Sequence, residues 1–398
     1  MTSLLVKNVR PLDGNATDVL IREGRIAALG TSLETPANTP VEDGGGALLL
    51  PAPIEGHTHL DKTLWHLKQW VTNDVGPAIQ DKIDNERRWR ATHPHDAGDA
   101  SLAMAKLYLA NGTTRIRSFV DIDTEAGLKH LQGILATRQT MAGTQEIQVV
   151  AFPQSGLLVR PGTDALLDAA MAQGADIVGG LDPCAIDRDP VRHLDVVFGL
   201  AQKHGRPVDV HLHEPGEMGA FSLDLILERT DALGMAGRVV VSHGFCLGMI
   251  GERERDALLD RMARLDVAIA TTAPPSRPVP LAVPCRRAGV SLFGGNDGVR
   301  DTWNPYGKPD MLERAMLIGL RNNFRRDEEI GWALECVTTE AARGCGFTEY
   351  GLAEGCRAEF ALVDARSVAE AVVSQPVRRL VVSDGRIVAR DGALVAGL

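Results

Sequence analysis

Short apolar runs broken by turn residues open the chain. Residues 4–9 read as a strand, and 19–22, Glu23-Gly24 and 25–29 as a hairpin. The far end repeats the pattern, with a strand at 359–363 and a hairpin made of 379–382, Asp384-Gly385 and 386–389. Both hairpins carry Gly-Arg-Ile, at 24–26 and 385–387, which predicts that the two ends pair in one small β-sandwich module, residues 1–50 with 349–398. Between them lie eight strand-like apolar runs: 48–54, 114–120, 147–152, 177–181, 207–212, 239–242, 267–271 and 290–294. They alternate with helical stretches at 100–110, 124–138, 163–173, 191–204, 223–233, 253–264 and 311–320. The alternation over 51–348 predicts an α/β fold, a (β/α)8 TIM barrel, whose usual length is about 250 residues. The 62–97 segment breaks the rhythm. It is long and polar, carries Trp65, Trp70 and Trp89, and is expected to lay loop and helix over the barrel mouth.

Composition narrows the class. At 44% hydrophobic residues, the 398-residue chain can bury a large core. Its 42 basic and 52 acidic residues leave a net charge of −10, which argues against nucleic acid as a partner. The six cysteines are scattered without a Cys-x-x-Cys, so neither disulfides nor a cysteine zinc site is expected. The N-terminus lacks the apolar core of a signal peptide, and no run approaches the roughly 20 apolar residues of a membrane span. The expectation is a cytoplasmic protein with no membrane partner.

A barrel brings a rule with it: active residues gather at the C-terminal ends of the strands. The first strand runs into Glu55-Gly56-His57-Thr58-His59, and its two histidines, at i and i+2, leave one face within reach of one ion. The fifth ends Asp209-Val210-His211-Leu212-His213-Glu214, the sixth Ser242-His243, and the eighth Gly294-Gly295-Asn296-Asp297-Gly298. His57, His59, His211 or His213, His243 and Asp297 together offer imidazoles and a carboxylate, donors that suit Zn²⁺ or Fe²⁺ with room for water.

The motifs His57-Thr58-His59-Leu60-Asp61-Lys62-Thr63, Ala151-Phe152-Pro153-Gln154-Ser155-Gly156, His211-Leu212-His213-Glu214, Ser242-His243 and Asn296-Asp297, followed by Trp303-Asn304-Pro305-Tyr306-Gly307, resemble those of the amidohydrolase superfamily in its cytosine-deaminase-like branch. The likeness covers nearly the whole chain. It implies one divalent metal ion, Zn²⁺ or Fe²⁺, held by His57, His59, His211 and Asp297, and leaves His213 outside the ligand set. Some members of the superfamily bridge two metals with a carboxylated lysine at the end of strand four. No lysine lies between Lys129 and Lys203 here, so a single-metal site is expected.

A divalent ion makes hydroxide available near neutral pH. Glu214, three residues after a ligand, is the expected proton shuttle, acid and base in turn. Asp297 can accept the water proton as well as bind metal, and His243 is expected to orient the hydroxide or the tetrahedral centre. The amide of Gln154 complements a ring N–C=O edge, and the resemblance makes it a substrate anchor. Trp303 is expected as an apolar wall, with Asn296 and Lys62 as further substrate contacts. His66, His93 and His95 are assigned to a polar lid, while the roles of His213, Asp301 and Asn304 stay open.

Cytosine deaminases follow the metal aspartate with a second aspartate, where this chain has Gly298, and precede it with a histidine, where it has Asn296. The block from Asp297 to Gly307 is more similar to an N-alkylamine-releasing triazine hydrolase. The expected function is hydrolytic deamination of a small amino-substituted N-heterocycle, a pyrimidine, triazine or pterin-like ring. The alternatives are that triazine hydrolase or a cyclic-amide hydrolase of the hydantoinase or dihydropyrimidinase type. The missing strand-four lysine argues against the cyclic amide. The resemblance is compatible with a homo-oligomer.

Overall fold

The two Gly-Arg-Ile hairpins meet. In the computed structural model, which describes residues 3–72 and 74–398, Thr17–Arg22 pairs with Arg25–Gly30 and Arg378–Ser383 with Arg386–Arg390. Residues 1, 2 and 73, from the expected N-terminal module and mouth segment, lie outside the described residues. Glu23 and Gly24 turn with φ of 52° and 78°, and Asp384 and Gly385 with 46° and 72°, the left-handed pair that tight hairpins need. The turns touch: a Cβ on Gly385 would lie 2.8 Å from the Gly24 Cα, so only glycine fits that crossing. Val6, Val9, Ile21 and Ile26 from one end pack against Leu49, Phe360, Leu362 and Val382 from the rest of the module.

The run expected as one strand over 48–54 is two elements. Leu48–Pro51 lies in the terminal sheet, parallel to Ser3–Pro11 and antiparallel to Phe360–Val363. The first barrel strand, β1, is Ile54–Thr58. Pro53 between them has no N–H to donate, so one ladder cannot run through both. The other barrel strands are β2 (Arg115–Asp121), β3 (Glu146–Phe152), β4 (Ile177–Leu181), β5 (Val208–Leu212), β6 (Val239–His243), β7 (Ala268–Thr271) and β8 (Leu292–Gly294), each parallel to its neighbours in chain order. A parallel bridge between Thr58 and Asp297 brings the last strand back to the first. The Asp297 N–H donates to His57 O at 2.8 Å, and Thr58 Oγ1 donates to Asp297 O at 3.0 Å. Gly56 and Gly295 allow this approach, since a Cβ on them would lie 2.5 Å from the Phe293 ring and 2.4 Å from His57 Cβ. The closure therefore sets His57 and Asp297 side by side.

Helices fill the connections where caps allow. Pro190–His204 starts where Asp189 accepts the Arg192 N–H and stops at left-handed Gly205. The helix expected from 124 begins instead at Lys129, because Asp123 Oδ1 takes the amides of Glu125 and Ala126 into a turn. The mouth segment carries the helix α1 (Ile79–Thr92). Two buried ion pairs join module and barrel: Arg115 with Glu359 at 2.8 Å, and Arg378 with Asp310. Among the described residues no helix is long and apolar enough to cross a membrane.

Candidate active site

Five side chains from four strand ends converge at the barrel mouth. His57 stands on β1 with His59 just beyond it, His211 on β5, His243 at the end of β6, and Asp297 after β8. His59 Nε2 lies 3.2 Å and His57 Nε2 3.7 Å from Asp297 Oδ1, while His243 Nε2 is 4.0 Å from Oδ2. Ligand atoms of His57, His211, His243 and Asp297 all lie within 4.8 Å of one another. That compact quartet contains His243 in place of His59, yet His59 makes the shortest approach to the carboxylate. The structure thus offers five donors for an ion that needs fewer.

The donors suit a cation. All four histidines are buried, but His57 Nε2 and both ring nitrogens of His211 and His243 have no hydrogen-bond partner among the described residues. Orphaned buried nitrogens are costly unless something satisfies them. Burial holds His211 and His243 well below the ordinary histidine pKa and His59 at about 4, so these imidazoles are neutral and keep the lone pair that a metal requires. Burial opposes the charge on Asp297, but His57 and His59 outweigh it and hold the carboxylate ionised. His243 and Asp297 also have φ of 72° and 64°, strained values that persist where the surroundings enforce them.

A polar chain fixes His57 from behind. Its Nδ1 is 3.0 Å from Ser242 Oγ, which donates at 2.7 Å to Asp209 Oδ1, and Asp209 Oδ2 accepts from Arg117 at 3.0 Å. Because the serine proton is committed to the carboxylate, His57 Nδ1 must carry a hydrogen towards Ser242, and Nε2 faces the ligand cluster. Beneath the cluster, Glu55 accepts from the amides of His57 and Asn296 at 3.0 Å, and from Asn296 Nδ2 and Tyr108 Oη at 2.8 Å. Asn296, expected at the substrate, is turned into this layer. Its Oδ1 accepts from Arg314 Nη2 at 2.8 Å, so both ends of its amide are used within the protein.

Glu214 is also heavily engaged. Its Oε1 accepts from the amides of Cys184 at 2.7 Å and Ala185 at 2.8 Å, and its Oε2 from Ser222 Oγ at 2.5 Å. Burial raises its pKa. His213 sits differently. Asp182, after β4 and at φ 36°, accepts from the His213 amide at 2.6 Å and from Nδ1 at 2.8 Å. The imidazole stacks on His243 with centroids 4.2 Å apart.

On the opposite wall, Lys62 Nζ donates to Gln154 Oε1 at 2.5 Å and lies 4.8 Å from the Trp303 ring centroid. Burial works against the lysine charge, but Asp121, Glu86 and Asp301 outweigh it and raise its pKa. Asp301 organises the loop after β8, accepting the amides of Trp303 and Asn304 at 2.8 Å, and Asn304 Oδ1 receives the Tyr306 amide at 3.2 Å. His95 caps Asp61 O at 2.6 Å, and His66 and His93 also stay in the mouth segment away from the ligand cluster. Sequence reasoning passed over Ser242, Asp209, Arg117, Asp182 and Glu86. For Asp209 a signal existed, since it precedes His211 by two residues and so shares its face.

A closed parallel barrel with histidines at the ends of strands one, five and six and an aspartate after strand eight is the architecture of a metal-dependent hydrolase. The model of the amidohydrolase family matches residues 41–389, and the chain belongs to that family. N-isopropylammelide isopropyl amidohydrolase of Pseudomonas sp. (strain ADP) is 28% identical over 391 residues, 95% of each chain. The crystal structure of N-isopropylammelide isopropylaminohydrolase from Burkholderia multivorans superposes with a TM-score of 0.97 at 62% identity, covering 99% of this chain and 100% of that one. The 5-methylcytosine deaminase of Klebsiella pneumoniae, liganded with 5-fluorocytosine, gives 0.85 at 25% identity over 97% of each chain. The expected family and barrel stand, and the chain is an aminohydrolase-type hydrolase.

Proposed function

We propose that this hydrolase cleaves the exocyclic C–N bond of an N-alkylamino-substituted triazine, or a closely related aminopyrimidine, and releases the amine. The observation that carries the reading is the set of neutral, orphaned imidazole nitrogens gathered round Asp297. His57, His59, His211 and Asp297 would hold one divalent ion, zinc or iron, with His243 beside them. A bound ion of this kind supplies a water acidic enough to ionise near neutral pH. The 62% identity to an N-isopropylammelide isopropylaminohydrolase favours the triazine over other rings. No lysine lies between Lys129 and Lys203, so β4 has none at its end, which weighs against the cyclic-amide alternative.

The chain's own groups then divide the work. Lys62 occupies Gln154 Oε1, so the pair presents N–H donors to a substrate, a match for carbonyl oxygens on the ring or for unprotonated ring nitrogens. Trp303 walls the ring. His243 is placed to hydrogen-bond the attacking water, and the second oxygen of Asp297 can take its proton. That proton must reach the ring nitrogen and then the leaving amine. Glu214 is one carrier, but its three donors tie it down. A second reading gives the transfer to His213: Asp182 holds Nδ1 and leaves Nε2 without a hydrogen-bond partner among the described residues. The setting is a cytoplasmic enzyme acting on small molecules.

A screen of N-alkylaminotriazines, aminopyrimidines and pterins for amine release, with metal content measured on the same sample, tests the reading. Glu214→Gln and His213→Asn then separate the two carriers, since the true one should cost about 10²- to 10⁴-fold in kcat. Ring opening without amine release, or no turnover by metal-replete protein, would overturn it.

A further inference from the structure

The helix α1 buries only Ile83 and Glu86 of its 14 residues, so apolar packing does little to hold it down. Isolated helices shorter than about 12–15 residues are marginal in water, and α1 needs anchors. They are polar and all lie on the mouth. Arg90 reaches Asp121 at 3.3 Å and Asp123 at 2.7 Å, and Asn85 Nδ2 donates to Thr302 O at 3.2 Å. Glu86, only 2% exposed, accepts the indole N–H of Trp303 at 2.8 Å and lies 3.7 Å from Lys62 Nζ. Beneath this arrangement Lys62 and Gln154 are 6% and 3% exposed, too enclosed to receive a ring from solvent.

We propose that α1 is the lid of the substrate site and that Glu86 is its latch, a positioning residue that sets Lys62 and Trp303 when the lid is down. The inference rests on the substrate wall assigned above. One carboxylate does both tasks: Oε2 fixes the plane of the Trp303 indole, and Oε1 faces the lysine that donates to Gln154. Lifting α1 would expose that wall and admit a ring. Opening costs one buried contact network and little apolar area, and closing restores the donors in register.

Amide hydrogen exchange on the metal-replete protein reads the lid without any substrate. In Glu86→Ala, peptides covering 79–92 should exchange about 10- to 100-fold faster while those of the barrel strands are unchanged. Trp303→Phe, which removes the same hydrogen bond from the other side, should loosen the same peptides. On a substrate found by the screen, Glu86→Ala should raise KM about tenfold or more with kcat within about threefold, and Glu86→Gln, which keeps an acceptor for the indole, should recover part of the loss. Unchanged exchange over 79–92 in both variants, or faster exchange spread through the barrel, would overturn the lid. Failure to find a heterocyclic substrate would overturn the proposed function and leave the exchange result standing.

Discussion

Replacing Ser242 with alanine removes one atom from the chain that aims His57. The Oγ accepts from His57 Nδ1 at 3.0 Å and donates to Asp209 Oδ1 at 2.7 Å, and all three residues are buried. The neutral hydrogen bond is worth about 1 kcal/mol and the one to the carboxylate about 1.5–3 kcal/mol, so unfolding stability should fall by about 2.5–4 kcal/mol. Asp209 keeps its Arg117 partner at 3.0 Å, which holds the loss towards the lower end. The more telling quantity is metal affinity. With Nδ1 unpartnered, His57 can rotate or present the other tautomer, and loss of such a partner typically weakens metal binding about 10- to 100-fold. That is about 1.4–2.7 kcal/mol, additional to the fall in apo-protein stability. Chelator competition against zinc measures the affinity, and denaturant unfolding of the metal-free protein measures the fold. A variant that loses stability but binds zinc within about twofold of the parent would refute the role given to this chain.

Other consequences can be checked separately. Removing metal with a chelator should lower the melting temperature, and adding zinc back should restore it, with about 4 kcal/mol at stake when free ion stands about a thousandfold above Kd. Gly295→Ala would put a Cβ 2.4 Å from that of His57, where the barrel closes, and should cost about 3 kcal/mol or more by denaturant unfolding. Burial raises Asp301 from 3.8 to about 6, so the unfolded chain releases this proton before the folded one does. Stability should therefore fall as pH rises from about 4 to 6, by on the order of 2–3 kcal/mol, and Asp301→Asn should flatten that slope in unfolding measured across the window.

Much of this was readable in the chain because it is local. The hairpin turns at Glu23-Gly24 and Asp384-Gly385 require left-handed residues, and sequence shows where they can occur. Strand period 2 put His57 and His59, or His211 and His213, on one face, and the barrel rule put those faces at the mouth. Boundaries failed where a side chain or a proline competed with the local pattern, as Asp123 did for the helix expected from 124 and Pro53 for the strand expected over 48–54.

Partnership was not readable, because period and propensity say which way a side chain faces and not what it meets. His57 and Ser242 are 185 residues apart, Glu86 and Trp303 217. Asn296 and Glu214 had the right types and positions for chemistry, yet Glu55, Arg314 and Tyr108 claim the first, and Cys184, Ala185 and Ser222 the second. His213 had no assigned role until Asp182, from the end of the preceding strand, took its Nδ1. The residues able to bind an ion were set by the sequence alone. Which of them are free to do so was decided by the closed barrel, since burial makes each polar atom find a partner and only the tertiary register determines which atoms are left over.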